Sequence, residues 1–365
     1  MRVRLRNKYD DKYGISVQFP KEPLELYDML DRLGVDNDYD NVYMRIDDDR
    51  IPKAMRDGGF YDDIFKLNLL AQRLEQLTPA YTAGFTAVLY DHEDFNLDDL
   101  ILVTYGLEAY PIYPCRNYAE LGEVVIDNDM ISEVENCPDE LIPHLDKSSI
   151  GRLAAERFKG VFVDEYYCEV ADYEPPDMNI TIAKPPRNEF QILIGADEET
   201  AQWCPLPYEG ELSGMEVYGL RSPLPKIQVV DDIAKLNEVA EKLAGLGRAK
   251  LIKLKAVMES NCYRGTGGAL MALDELEQYE FDASVKSYSE YGREYLSRYL
   301  PDNFDTSVMD TDHLCAVGSR ILERQSGELT SYGVLSGVEQ SLYSALVIQE
   351  EEEICDEGLE MEAIQ

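Results

Sequence analysis

Residues 62–77 read DDIFKLNLLAQRLEQL, and residues 231–246 read DDIAKLNEVAEKLAGL. Aligned without a gap, nine of the sixteen positions are identical: two Asp, the Ile, Lys-Leu-Asn, one Ala and two Leu. Both stretches place apolar residues at helical spacing, at Ile64, Leu67, Leu70/Ala71, Leu74 and Leu77 and then at Ile233, Leu236, Val239/Ala240, Leu243 and Leu246. This period predicts an amphipathic helix in each, with Asp62 and Asp231 as N-caps and Asp63 and Asp232 complementing the dipole in the first turn. The apolar faces should be buried, and Lys66 and Lys235 exposed. Leucine spacing alone is common to many helices. The shared DDIxKLN is not, so the pair marks an internal duplication.

Working outward, the echoes keep a nearly constant offset. Val42-Tyr43 returns as Val217-Tyr218, Ile51-Pro52-Lys53 as Leu224-Pro225-Lys226, and Tyr118-Ala-Glu-Leu-Gly122 as Tyr288-Ser-Glu-Tyr-Gly292. Gly151, Glu156-Arg157 and Gly160 return as Gly318, Glu323-Arg324 and Gly327. A constant offset is the signature of a repeated unit. Alternation predicts strands at Ile15–Phe19, Asn41–Ile46, Val161–Val170, Asn179–Ala183 and Gln191–Ile194. Helical patterns cover Leu24–Leu33 with Gly34 as its C-cap, much of Pro79 to Asn128, Ser148–Phe158 and Ala269–Tyr279. The expected fold class is α+β, an elongated chain of two similar lobes, each made of small α+β and helical subdomains. Its expected divisions are a basic leader (1–14), a first lobe (15–172), a linker at Pro175-Pro176 (173–177), a divergent second lobe (178–346) and an acidic disordered tail (347–365).

Composition narrows the function. Seventy-two acids stand against 34 bases, a net charge of −38, while the hydrophobic content of 45% is ordinary for a folded protein. Such a surface repels nucleic acid and anionic membranes, and it selects a basic partner. Between Asp91 and Asp146 there are fifteen acids and one base, Arg116. The seven cysteines form no CxxC pair, no apolar run approaches a membrane span, and no apolar signal core follows the basic N-terminus. A cytoplasmic protein with reduced cysteines is expected.

Sites of chemistry are sparse. The three His (92, 144 and 313) have no metal-ligand spacing, and Tyr263-Arg-Gly-Thr-Gly-Gly268 lacks both the third Gly of a dinucleotide loop and the GK[ST] of a P-loop. Asp36-Asn-Asp-Tyr-Asp40 lacks the Gly and Glu of a calcium loop. Carboxylates are so abundant that any pair argues weakly for acid–base catalysis. Solvation alone explains most charge runs, yet fifteen acids against one base is far from the mixed-sign surface that solubility needs.

The order of these features resembles the ArdA family of antirestriction proteins. The likeness covers Ile15–Val170: Phe19-Pro20, the helix entering an acidic turn (Leu26–Asp40), IxKLNxLAxxL at Ile64–Leu74, the acidic helical middle, and IGRxxAExxxGVF at Ile150–Phe162. The second copy matches through its helix, its YSEYG segment and its close, whereas a usual member has one such unit. The resemblance implies a non-enzymatic protein, without cofactor or metal, whose carboxylates imitate DNA phosphates. It would occupy the basic groove of a type I restriction–modification enzyme, bind neither nucleic acid nor membrane, and exist as a monomer with pseudo-dimeric lobes or as a homodimer. Physically, carboxylates give Arg and Lys an acceptor geometry like that of phosphate. The candidate partner-binding acids in the first lobe are Asp91, Glu93, Asp94, Asp98, Asp99, Glu120, Glu123, Asp127, Asp129, Glu133, Glu135, Asp139, Glu140 and Asp146. Those in the second are Asp274, Glu275, Glu277, Glu280, Asp282, Asp302, Asp305, Asp310 and Asp312. The alternatives are a carboxylate enzyme of glycosidase type, which needs a buried acid of raised pKa, and an acidic scaffold or chaperone for a basic mobile-element protein.

Overall fold

The computed structural model describes residues 1–8, 10–36, 42–90, 94–210, 213–228, 232–301 and 304–337, with 10–12 and 306 described in backbone only. The tail 347–365, most of the Asp36–Asp40 loop and Asp231 lie outside these residues.

Alternation begins at the N-terminus. Arg2–Asn7 forms strand β1, with Val3 and Leu5 fully buried and the arginines between them on the other face. Strands β2 (Asp10–Gln18), β3 (Val42–Asp47) and β4 (Phe60–Tyr61) complete an antiparallel sheet of order β2-β1-β3-β4. Helix α1 (Pro23–Arg32) follows β2 in sequence, and α2 (Lys53–Asp57) precedes β4. Residues 1–14, expected as a basic leader, form β1 and the start of β2. The period-two placement of Val3 and Leu5 makes β1 an inner strand.

The helical part of the first copy runs α3 (Ile64–Gln76), α4 (Pro79–Tyr90), α5 (Leu97–Gly106), a 3-10 turn (Leu107–Ala109) and β5 (Ile112–Tyr113). It continues through α6 (Tyr118–Asp127), α7 (Ser132–Glu135) and α8 (Lys147–Phe158) to the hairpin β6 (Val161–Val163) and β7 (Tyr166–Cys168). The expected strand 161–170 is thus a hairpin, and β5, β7 and β6 form a sheet in that order.

The second copy repeats this succession. Strands β8 (Gln191–Gly195), β9 (Gln202–Pro205) and β10 (Glu216–Arg221) lie in the order β9-β8-β10, matching β2-β1-β3. Then come α9 (Ile233–Ala244), α10 (Arg248–Ser260), α11 (Gly265–Glu275), a 3-10 turn (Leu276–Gln278) and β11 (Glu280–Asp282). Helix α12 (Tyr288–Ser297), a 3-10 turn (Thr306–Val308), α13 (Thr311–Arg324), β12 (Glu328–Thr330) and β13 (Gly333–Ser336) close it. The order β11-β13-β12 equals β5-β7-β6. The segment 179–183, expected as a strand, has no regular structure. Its alternation carries no ladder partner. Taken whole, the chain is mixed α+β.

The duplicated KLN motif has a structural cause. Asn68 on α3 donates from Nδ2 to the Lys21 carbonyl at 2.9 Å and accepts from the Lys21 amide at 2.7 Å. Asn237 on α9 does the same with Tyr208, at 2.9 and 2.8 Å. Each Asn thus pairs both backbone groups of the residue after the proline that ends an outer strand, Pro20 or Pro207. The helices start one residue later than expected. Asp63 accepts from Phe65 N, and Asp232 from Ala234 N and Lys235 N, so these are the N-caps in place of Asp62 and Asp231. Lys235 is exposed. Lys66 is half-buried instead, because its ammonium lies 2.7 Å from Asp98 and 3.6 Å from Asp62.

The glycine echoes mark helix crossings. A Cβ on Gly122 of α6 would lie 1.8 Å from the Lys147 carbonyl oxygen, and one on Gly151 of α8 would lie 1.8 Å from that of Tyr118. The second copy repeats the contact. Gly292 of α12 would meet the Leu314 oxygen at 2.2 Å, and Gly318 of α13 the Tyr288 oxygen at 1.9 Å. Only residues without a side chain permit backbones so close.

The chain divides into two compact units: residues 1–21 with 37–184, and residues 22–36 with those from 185 onward. This differs from the division expected at 173–177, and it assigns α1 to the second unit. Asp28 and Asp31 of α1 explain the assignment. Lys255, its side chain 3% exposed, lies 3.0 Å from Asp28 and 2.8 Å from Asp31. Arg187 and Arg248 reach Asp31 at 2.9 and 3.1 Å, and Tyr332 donates to Asp28 at 2.8 Å. Removing one partner from such a buried set leaves an uncompensated charge. The core of the second unit joins Ile192 and Ile194 of β8 to Leu236 and Val239 of α9, Leu254 and Val257 of α10, and Ala269 of α11. In the first unit Leu121 and Val125 of α6, Ala154 of α8 and Tyr167 of β7 form a separate cluster.

Candidate acidic interface

Segment 117–146 carries nine acids and neither Lys nor Arg. Its scaffold is the α6–α8 crossing. Asn117 caps α6 by accepting from the amides of Ala119 and Glu120, and Asp146 caps α8 by accepting from Ser149 N at 2.9 Å. On α6, Glu120, Glu123 and Asp127 share one face at spacings of three and four residues, a span of about 10 Å at 1.5 Å per residue.

These acids differ in what already occupies them. Glu120 accepts from Arg116 N at 2.8 Å and from Asn117 Nδ2 at 3.1 Å, closing the first turn of α6. Glu123 pairs with Lys147 at 2.7 Å across the crossing. Glu133 is gripped by both terminal nitrogens of the Arg157 guanidinium, with Nη1 at 2.6 Å from Oε2. That grip holds its carboxyl below the usual range, and the hydrogen bonds from Ser149 do the same for Asp146. Asp127, Asp129, Glu135, Asp139 and Glu140 are exposed and form no ion pair among the described residues. Asp129 has φ 50°, just past the end of α6. Ahead of this segment, Asp94 is exposed, Asp98 pairs with Lys66, and Asp99 forms a capping box with Asn96. Asp91 and Glu93 lie outside the described residues.

The second unit uses its candidates locally to a greater degree. Asp274 pairs with Lys242 at 2.9 Å and Glu277 with Lys250 at 2.6 Å, and Glu275 accepts from the Tyr263 hydroxyl at 3.1 Å. The Lys250 contact lowers the Glu277 pKa. Asp282 binds Ser284 N at 2.8 Å, Asp305 binds Ser307 N at 2.8 Å, and Asp310 caps α13 through His313 N at 3.0 Å. Glu280 and Asp312 are exposed, and Asp302 lies outside the described residues.

One carboxylate behaves differently. Burial raises the pKa of Glu169, only partly offset by a hydrogen bond from Tyr113, whose hydroxyl is itself pushed up to about 12. Its Oε1 is buried and takes no hydrogen bond among the described residues. The groups that sense Glu169 are tyrosines: Tyr113 donates to it, and its charge helps to raise the Tyr167 hydroxyl. Among the described residues, no group of three or more His, Cys, Asp or Glu converges as a metal site, and no helix is long and apolar enough to cross a membrane. Neither protein-family models nor curated proteins give a match to this sequence.

Proposed function

We propose that the chain is an antirestriction protein of ArdA type, a DNA mimic that occupies the basic groove of a type I restriction–modification enzyme. The observation that carries this reading is segment 117–146: nine acids without a Lys or Arg, three on α6 and the others on α7, in the turns beside it and at the N-cap of α8, so that the run is anchored at both ends by helices that cross at glycines. Under this reading the two copies form an elongated, two-lobed molecule whose carboxylates stand in for phosphates. Rigidity matters, because a groove built for a duplex gains most from charges already held in place. The available acids are then those without local partners, Asp94, Asp127, Asp129, Glu135, Asp139 and Glu140.

The test is protection of DNA from cleavage by a type I enzyme, with binding followed across a salt series. Neutralising those six acids together should abolish protection and flatten the salt dependence, while each single change costs less than about fivefold, as exposed pairs do. Normal protection by the sixfold variant, or loss through one carboxylate alone in a folded protein, defeats mimicry by this surface.

A further inference from the structure

The outer face of the β2-β1-β3-β4 sheet has the opposite character to the rest of the chain. Arg2, Arg4 and Arg6 project from β1 at alternate positions, about 6.6–6.8 Å apart along the strand. Arg4 stands directly opposite Arg45 of β3 in the ladder, and Arg6 opposite Tyr43. Tyr43 in turn stands opposite Tyr61 of β4, with the rings edge to face at 5.4 Å. The Arg6 guanidinium lies 4.4 Å from the centre of the Tyr43 ring. Arg2, Arg4 and Arg45 are exposed, and Tyr61 is 52% exposed. On the β2 side the ladder partners of the three arginines are the uncharged Gln18, Ser16 and Gly14. The one acid placed in the β1–β3 ladder on this face is Asp47, opposite Arg2.

Like charges set directly across a ladder destabilise it. A chain with 72 acids and 34 bases nevertheless puts Arg4 against Arg45 and flanks them with two more arginines. An anion lying along β1 would relieve that repulsion. Exposed aromatic rings beside a cation track add a surface on which unstacked bases lie. We infer that this sheet face binds single-stranded nucleic acid, phosphates along the β1 arginines and Arg45, a base against Tyr61. A duplex fits less well, because its bases are not free to stack on a side chain. The net charge of −38 does not forbid this, since at physiological salt charges beyond about 8 Å are largely screened and the local surface decides. The inference is independent of the antirestriction reading and runs against the expectation, drawn from the mean charge, that the chain avoids nucleic acid.

The experiment is fluorescence anisotropy of a labelled 12-nucleotide oligothymidylate with the full chain, between about 50 and 200 mM salt. Three or four phosphates neutralised predict a log–log salt slope of about −2 to −3. Arg4→Ser with Arg45→Ser should weaken binding at least about tenfold and make the slope shallower by about 1.4, two phosphates' worth. Tyr61→Ala should weaken binding about fivefold or more without changing the slope. The arginine variant should melt near the parent temperature, relief of the like-charge pair offsetting the lost Arg45–Arg56 hydrogen bond, and Tyr61→Ala a little lower, having lost its ring contact with Tyr43; both should stay folded at the assay temperature. Three results overturn the inference: no binding by the parent chain at the lowest salt, binding indifferent to both variants, or a duplex of equal length competing better than the single strand. Displacement of the oligonucleotide by polyglutamate at equal charge, insensitive to Tyr61→Ala, would assign the face to an acidic protein instead. So would concentration-dependent self-association lost in the arginine variant.

Discussion

The α6–α8 and α12–α13 helix pairs share one architecture and differ in charge. Both cross at paired glycines, both feed a three-stranded sheet of the same order, and both begin at a polar N-cap, Asn117 or Ser287. Yet residues 117–146 hold nine acids and no base, whereas the equivalent 287–310 hold five acids and two arginines. In place of acids, the α12 region exposes Tyr299 (71%) and Val308 (74%), and sets Tyr295 against Tyr299 with ring centres 5.2 Å apart and the rings tilted by 47°. The crossing therefore does not require the acids. Acidity is a separate property laid over a common scaffold, and only the first copy keeps it undiluted.

The equivalence is broken most sharply at the glycines. Gly151→Ala and Gly318→Ala each drive a Cβ into a backbone carbonyl that cannot step aside, so each should cost about 3 kcal/mol. Thermal or denaturant unfolding of the two variants checks this, and a tolerated alanine in one pair would show that the crossings are not equivalent. Next come the asparagine clamps. Asn68→Ala and Asn237→Ala each leave a backbone donor and acceptor without their partner, at about 1–3 kcal/mol apiece. Unequal losses in hydrogen exchange at Lys21 and Tyr208 would rank the two clamps.

Charge sharpens the comparison further. Neutralising Glu290 and Glu294 on α12 should leave DNA protection unchanged in the assay above, in contrast to the sixfold change in the first unit. The smallest effects belong to pH. Glu133 and Asp146 have folded pKa values below the ordinary carboxylate range, so their contribution is complete above that range and is lost as pH falls through the lowered values. Glu169 runs the other way. Its raised folded value favours the protonated form, so its part of the stability grows as pH falls through that value. Melting temperature followed from neutral to acid pH should show the Glu169 part vanish in Glu169→Gln and the acid-side loss persist.

Much of the scaffold was legible because it rests on spacing. The KLN repeat, the YxExG segment and the glycines at 151 and 318 mark positions where backbone meets backbone, and such positions tolerate few residue types. Residues 1–14 were expected as a basic leader because three arginines in six residues dominate their composition, although Val3 and Leu5 between them give the period of a half-buried strand. That expectation hid the basic sheet face. The acids were visible as a list, but their partners were not. Lys147 reaches Glu123 across 24 residues and Arg157 reaches Glu133 across the same interval, and sequence spacing cannot say which side chains meet over a helix crossing. Nor could it show that α1 belongs with residues from 185 onward, since Lys255 lies 224 positions from Asp31.

That last placement bears on inheritance. Among the described residues no helix stands between β9 and β10, where the first copy has α1 between β2 and β3. The second copy folds around a helix encoded before its own first strand. A recombination that returned the two halves to separate genes would hand one descendant a buried lysine with neither of its acids. Residues from 185 onward do not by themselves hold every part their unit needs, so the order in which the chain is read and the order in which it packs have come apart.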